Sequence, residues 1–202
     1  MNKTYKLALT AMMTALSIVA NALTIPLTPS NAISFTIVIA FISGIYLGAL
    51  PAVTVGFLGD LIGHVVFPMG GAYNWFVGLS CALSGLIPAL VYKLKINKIW
   101  KLSISLAIYL AVCSLCLNTF GFWLQYIVVV DPSPIGLWQF FTMDKSGIKK
   151  SFWLYLAGRA PFIILNWAVN GFIVGIIQQT KILDKLMLKA NGVAVNKTKD
   201  NA

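Results

Sequence analysis

Two apolar runs joined by a very short turn occupy residues 33–67, whose sequence is ISFTIVIAFISGIYLGALPAVTVGFLGDLIGHVVF. Only Gly48-Ala49-Leu50-Pro51 separates the two runs. Pro51 suits the first turn of a helix, where its missing N–H costs nothing. The stretch therefore predicts two antiparallel membrane-spanning helices, at residues 33–48 and 50–67.

The rest of the chain has the same character. Of its 202 residues 59% are hydrophobic and 10% are charged, whereas a soluble domain carries roughly 25% charged residues. We predict an all-α integral membrane bundle of six transmembrane helices, formed as a single domain by residues 1–190, with a polar C-terminal tail at 191–202. The other four predicted spans are residues 5–27, 74–92, 104–130 and 152–179.

The distribution of lysines predicts the orientation of the bundle. Lys3 and Lys6 precede the apolar run of the first span, four lysines lie at 93–101 and five at 181–199, against three at 145–150. Because basic loops stay in the cytoplasm, we expect both termini there and a multi-pass location in the cell membrane. This topology explains the net charge of +10, so the lipid bilayer, and no nucleic acid, is the expected environment. The outer face is then formed by residues 28–33, 67–73 and 131–151.

The first span also resembles a signal peptide. Lys3 and Lys6 precede its apolar run, and Ala20-Asn21-Ala22 has the A-x-A form of a cleavage site. The apolar run continues past this point to Leu27. We therefore expect a retained transmembrane helix.

Two ionisable residues lie inside predicted spans, Asp60 in the third and Arg159 in the sixth. Each is seven residues from the outer end of its helix, which places both roughly 10 Å below the outer surface. A buried charge is costly in lipid and is a functional candidate by default. We expect either a charge pair, which would be structural or part of a site, or two charges that line one wet cavity. Arg159 is the only arginine, and its guanidinium can grip a ligand carboxylate.

Other polar and aromatic side chains gather at the same level. Asn118 and Gln125 are seven residues apart, and Asn166 and Asn170 are four apart, so that each pair shares a helix face. Their convergence with an aromatic cluster favours a site for a planar or amphipathic small molecule. The alternatives are interhelical hydrogen bonds for the asparagines and interfacial anchoring for the aromatic rings. The candidate binding residues are Asp60, Tyr73, Asn74, Trp75, Asn118, Trp123, Gln125, Arg159 and Asn166.

Sequence motifs for catalysis and nucleotide binding are missing. The chain contains no G-x-x-x-x-G-K-[ST], H-E-x-x-H or G-x-S-x-G sequence, so we expect no enzyme activity, no catalytic residue, no cofactor and no metal. If the chain imports a solute, the energy must come from a partner, because the chain has no motif for binding ATP. The alternative is a stand-alone ion-coupled secondary carrier, for which Asp60 is the candidate carboxylate.

Small residues form one face of the first span. Ala11-Met12-Met13-Thr14-Ala15 is a small-xxx-small motif, which lets another helix approach closely. In the fifth span Cys113 and Cys116 are three residues apart, and we expect them to share a face and to pack rather than to bind a metal.

These features together resemble the S-component, the substrate-binding subunit, of an energy-coupling factor (ECF) vitamin transporter, and more closely its folate-type subfamily. The resemblance covers about residues 5–180 and is carried by the following segments: Ile33-Ser34-Phe35 through Gly44 and Gly48, Gly56-Phe57-Leu58-Gly59-Asp60-Leu61-Ile62-Gly63, Phe67-Pro68-Met69-Gly70-Gly71-Ala72-Tyr73, Leu117-Asn118-Thr119 and the Arg159-to-Pro161 region.

The resemblance implies the function and the partners. It implies high-affinity capture of a water-soluble B vitamin at the outer face of an ABC importer, with a transmembrane coupling subunit and two cytoplasmic ATPase subunits. Ala11 and Ala15 would dock on the coupling subunit. Arg159, Asn118 and the segment Tyr73–Trp75 would contribute to the vitamin site.

One departure from the folate-type pattern concerns the vitamin. Folate-type relatives often carry an arginine late in the first span, where this chain has Ala20-Asn21-Ala22. A doubly anionic glutamate tail would therefore meet fewer cations here. Pantothenate, with one carboxylate, could pair with Arg159 alone, and the neutral aromatic hydroxymethylpyrimidine or pyridoxine would suit the Trp and Asn side chains. The candidates are thus pantothenate, folate, and hydroxymethylpyrimidine or pyridoxine.

Overall fold

A computed structural model describes residues 3–28, 31–68, 73–129 and 152–180, without the side chains of residues 126–129. Its helices are α1 (Lys3–Ala22), α2 (Thr36–Leu47), α3 (Ala49–Val66), α4 (Trp75–Val91), α5 (Lys98–Ile108), α6 (Thr119–Val129) and α7 (Phe152–Gln179). A π-helical segment, Tyr109–Asn118, joins α5 to α6, and a hairpin of β1 (Ile25–Thr28) and β2 (Asn31–Ile33) lies between α1 and α2. The predicted outer loop at 131–151 and the polar tail at 191–202 lie outside the described residues.

The described helices confirm the predicted all-α membrane bundle. Four are long and apolar enough to cross a membrane, and two shorter apolar helices complete the six spans that these ranges contain. The long ones are Lys3–Ala22, Ala49–Val66, Lys98–Gln125 and Phe152–Gln179, and the shorter ones are Thr36–Leu47 and Trp75–Val91. The cytoplasmic position of both termini stays a prediction.

The first span is shorter than predicted because the chain changes to a strand before residue 27. Helix α1 ends at Ala22. Pro26 lacks an N–H and disfavours helical backbone at Ile25, which is itself β-branched. Residue Ile25 pairs with Ile33 in the antiparallel hairpin. The second span consequently begins at Thr36 rather than at residue 33.

Glycines let α2, α3 and α4 pack closely. Gly48 ends α2 with a φ of 90° and reverses the chain in a single residue. A Cβ atom on Gly44 would overlap the carbonyl of Gly85, and one on Gly56 would overlap the carbonyl of Cys81. The helix backbones therefore meet without an intervening side chain, as small-residue contacts allow between membrane helices.

Helix α1 packs on α3 through a polar residue and leaves its small-residue face exposed. Ser17 is 0% exposed, and it lies where a Cβ on Gly59 would be. Ala11 and Ala15 are exposed, as is the neighbouring Met12. The small-xxx-small motif thus points away from the bundle.

The π-helical segment changes which residues of the fifth span share a face. Its buried side chains include Tyr109, Cys113 and Ser114, and Thr119 follows directly after it. This spacing of four to five residues agrees with the wider turn of a π-helix. Cys113 is buried whereas Cys116 is exposed, so the prediction that the two cysteines share a face, which assumed α-helical geometry, is wrong.

Candidate functional site

Five of the nine side chains predicted to form one site lie in two separate clusters, together with neighbours that were not predicted. The arginine cluster consists of Asn31, Asn118, Phe122, Tyr155 and Arg159. The aspartate cluster consists of Asp60, His64, Tyr73, Trp75 and Cys81.

Three elements hold the guanidinium of Arg159, which lies on α7 and is 6% exposed. Its Nε donates to Asn31 Oδ1 on the hairpin over 2.8 Å. Its Nη1 donates to the carbonyl oxygen of Asn118, at the end of the π-helical segment, over 3.2 Å. The rings of Phe122 and Tyr155 lie 4.6 and 5.7 Å from its Cζ, within the range of cation–π attraction. The positive charge is therefore fixed where the hairpin, the fifth span and α7 meet.

Asn118 adds a hydrogen-bond acceptor to this cluster. Its side-chain Oδ1 is buried and has no hydrogen-bond partner among the described residues. A buried polar atom without a partner costs about 1–3 kcal/mol. The arrangement can therefore accept an N–H or O–H group beside a positive charge.

Asn31, Phe122 and Tyr155 are the members of the arginine cluster that the sequence did not predict, and Asn31 is the one that hydrogen-bonds to Arg159. Its Nδ2 donates to Thr28 Oγ1 over 2.8 Å, and this bond holds the side chain across the hairpin with its Oδ1 on Arg159. In the sequence, an asparagine in a loop is a common turn residue. Its only signal was its place in the predicted outer segment 28–33.

Asn166 on α7 binds the segment that follows the hairpin. Its Oδ1 accepts from the backbone N–H of Ser34 over 3.2 Å and from Asn170 Nδ2 over 2.7 Å. Asn170 is 1% exposed. Arg159, Asn166 and Asn170 thus form a polar stripe along α7, and the hairpin and the start of α2 contact its first two members.

The start of α4 is joined to α6 by a pair of predicted residues. Asn74 Oδ1 accepts from the N–H of Phe76 and so caps α4, and its Nδ2 donates to Gln125 Oε1 over 3.1 Å. Trp123 is 3% exposed and meets the ring of Phe152 edge-on at 5.7 Å. These residues connect helices at the edge of the arginine cluster.

The aspartate cluster lies between α3 and α4. Tyr73 Oη donates to Asp60 Oδ2 over 2.9 Å, and the thiol of Cys81 lies close to the same carboxylate. The expected charge pair between Asp60 and Arg159 is therefore wrong: each group is bound within its own cluster, because Tyr73 reaches the carboxylate from the connection before α4.

Aromatic rings surround Tyr73 in this cluster. The rings of His64 and Trp75 meet it edge-on at 5.3 and 5.2 Å. Burial, followed by the charge of Asp60, raises the pKa of Tyr73 above its usual range, so its hydroxyl stays a donor. Trp75 is 65% exposed, in agreement with an interfacial anchor rather than a ligand contact.

Comparisons with known proteins agree with the fold. The model of a family described as "ECF transporter, substrate-specific component" matches residues 5–178. Among solved structures, the chain is similar to a crystal structure of FolT bound with folic acid, with a TM-score of 0.52 and 18% sequence identity. The similarity covers 84% of this chain and 93% of that chain, and at this identity it shows a shared fold. No curated protein gives a significant match.

Proposed function

The chain belongs to the family of substrate-specific components of ECF transporters, and from this premise we propose that it binds a water-soluble B vitamin for import. The family is a class of transporter subunits rather than enzymes. A transmembrane coupling subunit and two cytoplasmic ATPase subunits are the proposed partners, and the cell membrane is the proposed location, with residues 1–190 acting as one binding domain.

The arginine cluster is the proposed centre of the vitamin site. The observation that carries this assignment is the buried guanidinium of Arg159 bound to the backbone of Asn118, whose side-chain oxygen is buried without a partner among the described residues. Arg159 would hold a carboxylate, Asn118 would accept an N–H or O–H group, and the rings of Phe122 and Tyr155 would lie against the apolar part of the ligand.

This chemistry supports a vitamin with one carboxylate. Arg159 is the only arginine of the chain. At the end of α1, where folate-type relatives often carry an arginine, Asn21 packs on Gly63 and donates to the backbone oxygen of Asp60 over 3.4 Å. Pantothenate, which has one carboxylate together with N–H and O–H groups, is therefore the first candidate. Folate, hydroxymethylpyrimidine and pyridoxine are the other members of the test panel.

The remaining predicted site residues are assigned by their contacts. Asn74, Trp123 and Gln125 would hold α4 and α6 beside the arginine cluster, and Asn166 would hold the hairpin. The exposed Ala11 and Ala15 of α1 would form the surface that meets the coupling subunit, because a flat face of small residues permits close helix contact.

Calorimetric titration of the purified chain with each vitamin tests the assignment. Arg159→Ala should weaken binding of the preferred vitamin at least tenfold, which is about 1.4 kcal/mol. Lys93→Ala, which removes an exposed cation from the segment between the fourth and fifth spans, is the matched control and should bind like the unchanged chain. Unaltered affinity in Arg159→Ala would remove Arg159 from the site.

Reconstitution separates the proposal from the carrier alternative. The chain alone in proteoliposomes should bind the vitamin without accumulating it, since the carboxylate of Asp60 is hydrogen-bonded to Tyr73. Uptake by the chain alone under a proton gradient would support an ion-coupled secondary carrier instead.

A further inference from the structure

The aspartate cluster has no evident part in gripping a vitamin at Arg159, yet it places a carboxylate inside the membrane-spanning bundle. We infer that Asp60 is a positioning residue, which holds Tyr73 and thereby sets the start of α4, from which Asn74 reaches α6. The inference rests on the proposed function, because the site that it positions is the vitamin site.

Tyr73 reaches the carboxylate of Asp60 from the connection before α4. Its hydroxyl passes over Gly78, where an added Cβ would overlap Oη. Gly78 lies on α4 and is buried. A side chain at this position would push Tyr73 away from Asp60, so the missing side chain of Gly78 gives the hydroxyl its path.

Tyr73 holds the residue that caps α4. It directly precedes Asn74, whose Oδ1 caps α4 by accepting from the N–H of Phe76 over 3.1 Å. The amide of Asn74 also donates to Gln125 of α6 over 3.1 Å. The hydrogen bond from Tyr73 to Asp60 therefore fixes both the first turn of α4 and the position along the helix at which α4 contacts α6.

The contact between α4 and α6 is connected to the arginine cluster. Helix α6 carries Phe122, whose ring lies 4.6 Å from Arg159 Cζ, and it follows directly after Asn118. Loss of the bond between Asn74 and Gln125 would loosen the helix that presents these groups. Asp60 thus acts on the vitamin site through Tyr73 and α6.

A carboxylate forms a stronger hydrogen bond with the hydroxyl of Tyr73 than a neutral acceptor would. A charge inside a membrane helix is costly and is kept where it has a function. A hydrogen bond from a hydroxyl to a carboxylate is roughly twice as strong as one between neutral groups. The bond between Tyr73 and Asp60 can therefore hold the connection before α4 firmly even though Tyr73 lies outside any helix.

A double-mutant cycle with Asp60→Ala and Tyr73→Phe distinguishes positioning from direct vitamin contact. Each single variant should raise the dissociation rate of the preferred vitamin about fivefold, since weakened positioning acts mainly on dissociation. The double variant should be no worse than either single one, because both remove the same bond. Effects that multiply in the double variant would place Asp60 against the vitamin and overturn the inference.

Conservative variants keep the test valid if Asp60→Ala does not fold. Asp60→Asn retains an oxygen that can accept from Tyr73 but lacks the charge, so it should dissociate the vitamin faster than the unchanged chain and more slowly than Tyr73→Phe. The same variant in a Tyr73→Phe background should lose this rescue and behave like Tyr73→Phe alone. If Asp60→Asn in the Tyr73→Phe background dissociates the vitamin faster than Tyr73→Phe alone, Asp60 acts independently of the hydroxyl and the inference is overturned.

Hydrogen exchange tests the role of the bond between Tyr73 and Asp60 without any vitamin. In the ligand-free chain, Tyr73→Phe should speed exchange of the Phe76 and Val77 amides, which lie in the first turn of α4, at least tenfold. Tyr5→Phe, which removes a hydroxyl from a side chain that is 43% exposed on α1, should leave them unchanged. Equal exchange in Tyr73→Phe and the unchanged chain would overturn the inference. Failure of every vitamin to bind would instead overturn the proposed function, and the exchange result would still decide the role of this bond.

Discussion

Replacing Asn31 by aspartate should separate the structural role of Arg159 from its proposed role in binding. In the structure, Asn31 Oδ1 accepts from Arg159 Nε over 2.8 Å. Aspartate has nearly the same shape and offers an oxygen at the same place. The substitution therefore keeps the hydrogen bond from Arg159 and adds a negative charge against the guanidinium. The amide donor to Thr28 is lost, but the Thr28 hydroxyl can turn to donate to the second carboxylate oxygen.

The magnitude follows from the distance between two carboxylates that would share one guanidinium. A vitamin carboxylate on another edge of Arg159 would lie about 5 Å from the carboxylate introduced by Asn31→Asp, and at an effective dielectric constant of about 20 their repulsion is about 3 kcal/mol. This corresponds to a loss of affinity of about a hundredfold for an anionic vitamin. The ligand-free fold should lose no stability, because a charge-assisted hydrogen bond to Arg159 is stronger than the neutral one that it replaces.

Calorimetric titration and thermal unfolding in detergent measure the two quantities on the same samples. Asn31→Asp should unfold at or above the temperature of the unchanged chain while binding the vitamin about a hundredfold more weakly. Asn31→Ala, which removes the acceptor without adding charge, should lower the unfolding temperature. The control Asn97→Asp adds the same charge at the exposed residue before α5 and should change neither quantity. Full affinity for an anionic vitamin in Asn31→Asp would refute the reasoning that its carboxylate binds Arg159.

Three further predictions concern the surface and the packing. Ala11→Trp or Ala15→Trp should abolish vitamin uptake by the assembled transporter while sparing vitamin binding, and loss of binding would mean that this face is structural. Gly56→Val should lower the unfolding temperature strongly, because its Cβ would overlap the carbonyl of Cys81 and overpacking costs about 1–3 kcal/mol or more; an unchanged temperature would contradict the close α3–α4 contact. Trp75→Ala should alter vitamin affinity less than twofold, since the ring is 65% exposed, and a tenfold loss in the titration would return Trp75 to the site.

The bundle could be predicted from the sequence because lipid imposes a simple rule on it. Spans must be apolar and about 20 residues long, and Pro51 and Gly48 mark the turn between two of them. The hairpin at residues 25–33 was not predicted, because the first span was extended through Pro26 to residue 27. Pro26, Pro29 and the polar residues around them indicate that a helix ends here, but they do not reveal a pair of strands.

The sequence identified several of the polar side chains that the structure groups, but not how they are grouped. Counting residues from helix ends placed Asp60 and Arg159 at one depth, and depth alone suggested a pair. Their actual partners, Tyr73 and Asn31, come from connections whose path is set by tertiary packing. The prediction that Cys116 shares a face with Cys113 was wrong, because residues on one face of a π-helix are spaced differently from those of an α-helix. The local sequence contains no signal for the π-helical segment.

Native mass spectrometry of the chain purified from membranes shows directly whether a vitamin is bound and whether Arg159 holds it. We expect one small molecule bound per chain, with the mass of a water-soluble B vitamin, and its loss in Arg159→Ala under the same conditions. A chain that carries no adduct after incubation with each vitamin of the panel, or one whose adduct is retained in full by Arg159→Ala, would contradict this expectation.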